Sequence, residues 1–157
     1  MVKVLFVCLG NICRSPTAEG VFRHMIKHKG LTAEVRTDSA GTSGWHIDEA
    51  PDQRAQSAAR KRGYDLSDLR GRQAKGKDFI AFDYVIAMDR SNYVNLQSIC
   101  PDGYEDRLHL FLDFATQASE TEVPDPYYGG DDGFGHVLDL IEDASRGLIA
   151  DIQTQYL

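Results

Sequence analysis

At 157 residues, 42% of them apolar and 26% charged, the chain can fill one domain with its own core, residues 1–157, and is too short to expect two. A formal net charge of −7 argues against nucleic acid or an anionic membrane as the main partner, though a locally positive pocket for a small anion is still compatible with it. Three cysteines make no disulfide framework, and the apolar run near the N-terminus is too short for a signal peptide or a spanning helix, so the expectation is a reduced, soluble, cytoplasmic protein.

In chain order, "KVLFVC" (Lys3–Cys8) is a short continuous apolar run bounded by Gly10, the pattern of a strand buried on both faces. From Ser15 the period becomes helical, with Ala18, Val21, Phe22, Met25 and Ile26 on one face. Ser15 reads as the N-cap, Pro16 as the first helical residue, and the helix should stop near Gly30. "AEVRTDSAG" (Ala33–Gly41) predicts a second strand and Ala50–Arg62 a helix, with Pro51 in its first turn and Gly63 after its end. A third strand is predicted at Tyr84–Met88, a helix at Ser91–Ile99, a fourth strand at Leu108–Phe111 and a last helix from Gly135 to Gln155. Strands alternating with helices imply βαβ units and a parallel sheet covered on both faces. Ala115–Gly135 is the one long irregular stretch, and such loops are more often functional than idle. In an open sheet of this kind ligands sit beyond the carboxyl ends of the strands, where the loop after Cys8 and this long loop both belong.

The chemistry is most legible in "CLGNICRS". Gly10 and Asn11 tolerate left-handed backbone angles, so the loop can curl until its amide N–H groups point inward. Continued into a helix N-terminus, such a nest binds anions, and Arg14 adds a guanidinium that can grip two phosphate oxygens. Cys8 would lie at the bottom of that cradle, where these groups favour thiolate over thiol and aim a nucleophile at phosphorus. A lone buried cysteine is ordinarily structural, but Cys and Arg separated by five residues between a strand and a helix are not an ordinary setting. A zinc site would need further Cys or His at close spacing, and a nucleotide P-loop would need a lysine after its second glycine; both are missing here.

"VCLGNICRSPTAEG", with "DPYY" at Asp125–Tyr128, "DSAGTSGWH" at Asp38–His46 and "FDYVIAMD", resembles the low-molecular-weight protein tyrosine phosphatases over the whole chain. The resemblance implies a flavodoxin-like three-layer α/β fold with a four-stranded parallel sheet flanked by helices. It implies that Cys8 forms a phosphocysteine intermediate, with Arg14 holding the phosphoryl group and Leu9, Gly10, Asn11, Ile12, Cys13 and Ser15 completing the phosphate loop. Asp125, stiffened by the following proline, becomes general acid and then general base, so activity should peak on the acidic side of neutral. Asp131 and Asp132 could help Asp125 keep its proton through like-charge repulsion. Leu9, Trp45, Tyr127 and Tyr128 match the walls of the entrance, where aromatic faces would grip a phenyl ring. Ser15 has two compatible roles, capping the helix and stabilising the departing Cys8 thiolate. Asn11 is expected to hold the loop in shape, and Ser39 and Asp89 resemble positions behind it. Relatives can close their paired loop cysteines into a disulfide, which marks Cys8 and Cys13 as a redox-sensitive pair.

One departure concerns the loop's support. Many relatives carry a histidine shortly before "RQ" that braces the phosphate loop; here Leu69 stands nearest that position, so the loop should be held differently. Among rival chemistries, arsenate reduction needs a further pair of cysteines, and Cys100 stands alone. Phosphoarginine hydrolysis is associated with a threonine where this chain has Ile12, which favours an aryl substrate. A non-enzymatic anion sensor would need neither Cys8 nor Asp125. The expected function is therefore hydrolysis of tyrosine phosphate and aryl phosphomonoesters. No metal or organic cofactor is expected. The expected partners are phosphotyrosine-containing proteins or aryl phosphates, without nucleic acid or membrane, and the chain should act as a monomer, with weak self-association left open.

Overall fold

The computed structural model of the chain describes residues 1–126 and 131–157, without the side chains of Asp131 and Asp132. Four parallel strands form one sheet: β1 (Val2–Cys8), β2 (Val35–Gly41), β3 (Tyr84–Ala87) and β4 (Leu108–Leu110), in the order β2-β1-β3-β4. The helices are α1 (Arg14–His28), α2 (Gln53–Lys61), α3 (Asp78–Ala81), α4 (Arg90–Gln97) and α5 (Asp131–Tyr156). Side chains alternate across a strand, and β1 shows it cleanly. Val4, Phe6 and Cys8 face one way and join the cluster built from α1, α5 and Ala59 of α2. Leu5 and Val7 face the other way, against Phe79 of α3 and Leu96 of α4. This makes the three-layer α/β fold expected from the sequence. The same alternation aims Cys8 toward the side of the sheet that α1 covers. No helix among the described residues is long and apolar enough to cross a membrane.

Several boundaries differ from the sequence expectation for identifiable reasons. The second strand starts at Val35, not Ala33, because Glu34 and Val35 donate back to Leu31 O in a turn. Pro51 lies ahead of α2, not in its first turn. Asp52 caps that helix, its Oδ1 accepting from Arg54 N at 2.8 Å and Ala55 N at 3.2 Å. The last helix begins at Asp131, so Asp131–Gly135 is helical where a loop was expected. The short α3 carried no sequence signal long enough to read. The first helix begins at Arg14 with Cys13 in the cap position, so Ser15 is not the N-cap. Its hydroxyl is spent elsewhere, as the site makes clear.

Candidate active site

The carboxyl ends of β1 and β3 are neighbours, and the chain leaves them to opposite faces, which opens a crevice at this switch point. Cys8 ends β1, and the next residues curl before α1 begins. Asn11 makes the turn with φ of 57°, in the left-handed region that asparagine tolerates better than most residues. Its backbone N–H points back at Cys8 Sγ, 3.3 Å away. Its side chain works in both directions: Nδ2 donates to Ser15 Oγ at 2.7 Å, and Oδ1 accepts from Arg72 N at 3.0 Å. Ser15 Oγ lies 3.1 Å from Cys8 Sγ and 3.3 Å from Ala40 O. The serine that read as a helix cap is therefore a member of the cysteine's environment.

The outer side of the loop is pinned by backbone bonds. Thr42 N donates to Cys8 O at 2.9 Å, Ser43 N to Leu9 O at 3.0 Å and Asp52 N to Ile12 O at 2.8 Å. Gly41 lets β2 approach this closely, because a Cβ there would stand 2.8 Å from Leu9 O. Leu69, at the position where a histidine was considered, is half-buried against the core. The Arg72 backbone and Asn11 brace the loop instead.

Arg14 is buried, and its guanidinium is held at one end. Nη1 donates to Asp89 Oδ2 at 2.6 Å and to Val123 O at 3.0 Å, while Nη2 lies 3.7 Å from Asp125 Oδ2. Burial works against the Arg14 charge, but Cys8, Asp89 and Asp125 outweigh it and hold the group above its ordinary range. Asp89 thus stands where the sequence suggested, behind the loop. Ser39 is buried in β2, and its side chain hydrogen-bonds Glu19 of α1.

These residues surround one cavity of about 130 Å³, lined by Cys8, Leu9, Gly10, Ile12, Cys13, Arg14, Trp45, His46 and Asp125. Cys8 is 3% exposed, as the floor of a narrow cradle would be, yet it lines the opening. Trp45 is 72% exposed at the rim, so it is a wall of the site and not a core residue. Cys13 also lines the cavity, and its thiol is pushed up to about 12, first by burial and then by the charges of Asp52, Cys8 and Asp125. His46 is a wall that sequence reasoning passed over. Its ring lies against Gly10, where a Cβ would meet Cδ2 at 3.1 Å, and Nδ1 is 3.0 Å from Glu49 Oε2. Adjacency to Trp45 was the one available signal. Tyr127 and Tyr128, expected at the entrance, lie outside the described residues, as do the side chains of Asp131 and Asp132.

The model of the low molecular weight phosphotyrosine protein phosphatase family matches residues 3–156. The low molecular weight protein-tyrosine-phosphatase YfkJ of Bacillus subtilis is 41% identical over 157 residues, covering 99% of this chain and 98% of that one. The low molecular weight phosphotyrosine protein phosphatase of Schizosaccharomyces pombe is 43% identical over 152 residues, with 96% and 97% covered. A crystal structure of a protein tyrosine phosphatase from Entamoeba histolytica, with Hepes in its active site, superposes with a TM-score of 0.96 at 43% identity and covers 100% of both chains. With its fold and nearly its whole length matched, the chain belongs to the low molecular weight phosphotyrosine protein phosphatase family.

Proposed function

We propose that this protein-tyrosine phosphatase hydrolyses phosphotyrosine and other aryl phosphomonoesters through a covalent intermediate on Cys8. The observation that carries the reading is the convergence of Cys8 Sγ, the Arg14 guanidinium and the Asp125 carboxyl on one small cavity. The phosphoryl group enters with its oxygens toward the loop amides and the Nη2 side of Arg14, since Nη1 is committed to Asp89 and Val123. The Cys8 thiolate attacks phosphorus: the S–P bond forms, the P–O bond to the aryl group breaks, and Asp125 gives its proton to the departing oxygen. In the second step Asp125 takes a proton from water as that water attacks phosphorus. The S–P bond breaks, and inorganic phosphate leaves. The Ser15 hydroxyl, 3.1 Å from sulfur, can turn its single proton from Ala40 O to the thiolate as charge returns to it.

Loose phosphoryl transfer asks the protein chiefly for positioning and charge stabilisation, which the pinned loop and held guanidinium supply. Ile12 on the cavity wall supports an aryl group over a polar guanidinium phosphate. The test compares phenyl phosphate, nitrophenyl phosphate and phosphoarginine with wild type, Cys8→Ser and Asp125→Asn. Cys8→Ser should lose at least about 10³-fold in kcat. Asp125→Asn should lose about 10²–10⁴-fold on phenyl phosphate and less on the better leaving group. Turnover surviving in Cys8→Ser would overturn the mechanism, and preference for phosphoarginine would overturn the substrate.

A further inference from the structure

A second hollow lies beside the catalytic cavity and shares Leu9 with it as a wall. Its volume is about 320 Å³, and it is lined by Leu9, Thr42, Ser43, Gln73, Ala74, Asn95, Ser98 and Ile99. We propose that it is a substrate subsite, which receives a neutral amide or hydroxyl side chain from a residue close to the phosphotyrosine in a peptide or protein. The inference rests on the phosphatase reading and extends it to what surrounds the phosphorylated residue.

Its lining chemistry selects the occupant. On an acidic protein, none of the eight lining residues is charged, so neither a carboxylate nor an ammonium group would find a counter-charge. The polar groups are hydroxyls and carboxamides with capacity to spare. Gln73 Nε2 donates to Thr42 O at 3.2 Å, and its carbonyl oxygen has no hydrogen bond among the described residues. The Asn95 carboxamide is exposed on α4, and its backbone carbonyl, not its side chain, takes the Ser98 hydroxyl at 2.6 Å. Leu9, Ala74 and Ile99 supply an apolar wall for the aliphatic part of the guest. An asparagine or glutamine side chain, with two donors and an acceptor on a short apolar stem, meets each of these demands.

Position argues for the substrate itself as the source of that side chain. An extended peptide advances about 3.3–3.6 Å per residue, so a chain whose phosphotyrosine fills the first cavity carries its neighbours past Leu9. The floor of the hollow is also the support of the phosphate loop, since Ser43 N and Ser43 Oγ both hold Leu9 O at 3.0 Å. A guest there touches the catalytic loop through its fixed side and leaves the cradle open.

The experiment compares kcat/KM on phosphotyrosyl peptides that differ in flanking residues, and on nitrophenyl phosphate, for wild type, Asn95→Ala and Ser98→Trp. Both altered positions are exposed on α4 or at its end, and the aryl phosphate reports on folding and on the catalytic centre together. Wild type should favour peptides with asparagine, glutamine or serine within a few residues of the phosphotyrosine over those with glutamate or lysine there. Both variants should lose that preference, with a fall of about three- to tenfold, the worth of one or two neutral hydrogen bonds. Their turnover of nitrophenyl phosphate should stay within about twofold of wild type on the same reasoning. A wild type indifferent to flanking residues, or variants that keep its preference, would overturn the subsite. Failure of wild type to hydrolyse any aryl phosphate would instead overturn the phosphatase reading.

Discussion

Two cysteines share the loop between β1 and α1, and their surroundings assign them opposite behaviour. Cys13 is held as a thiol by burial and by the negative charges around it, up to about 12. At pH 7 it is therefore a thiol, the form that is not the nucleophile. Cys8 receives the Asn11 N–H and sits beside the Ser15 hydroxyl. Iodoacetate at neutral pH should therefore inactivate the enzyme by alkylating Cys8 and not Cys13, inorganic phosphate should protect, and peptide mass mapping should find Cys13 unmodified. Carboxymethylation of Cys13 at the same rate would contradict the assignment. At this scale the sequence was informative where partners are adjacent and silent where they are distant. Cys8, Asn11 and Arg14 fall within one seven-residue stretch, and their spacing alone suggested the cradle. That Asn11 Oδ1 meets the Arg72 backbone, or that Val123 O receives Arg14, depends on contacts across many residues that leave no local mark. Ser15 misled for the same reason. A serine before a proline is a strong cap signal, but a tertiary cluster claimed the hydroxyl.

The elements depend on a few anchors of this non-local kind. Asp143, within α5, accepts from Thr116 N, Gln117 N and Ala118 N at 2.7–3.3 Å, and from Thr116 Oγ1 at 3.0 Å. Burial alone would raise this carboxyl, but the N–H donors more than offset it and bring it down to about 2 from an ordinary 3.8. A lowered folded-state value means that the stabilisation is complete above the ordinary carboxylate range and is lost as pH falls through about 2. Asp143→Asn should cost about 1.5–3 kcal/mol in urea unfolding at pH 7, the range for hydrogen bonds to a charged group. The gap to wild type should narrow as the pH is lowered, and a gap independent of pH would remove the carboxylate from the account. The segment so anchored leads toward Val123 and Asp125, so a fixed point on α5 helps place the candidate proton donor. Periodicity revealed α5 itself but not this link, because an aspartate in a helix pattern reads as solvent-facing. Strand and helix identities were legible because burial imposes their periods. Their ends were less so, because caps such as Asp52 and the turn at Leu31 are settled by local hydrogen bonds.

For the whole molecule, the sheet order β2-β1-β3-β4 brings the Cys8 loop and Asp89 to one edge, and the same alternation of strand faces turns Cys8 toward α1. The chain delivers a dianionic substrate to that edge against an overall charge of −7. Its attraction is short-ranged, since Asp89, 2.6 Å from the guanidinium, offsets much of the Arg14 charge beyond the cradle. At about 10 mM salt the screening length is about 30 Å and the whole protein repels the approaching dianion; near 150 mM it is about 8 Å, and the cradle acts almost alone. Raising sodium chloride between these values should therefore increase kcat/KM for an aryl phosphate at constant pH, with the change in KM and little change in kcat. A steady fall over that range would mean that positive potential from beyond Arg14 draws the substrate in, and that the acidic surface faces away from its path.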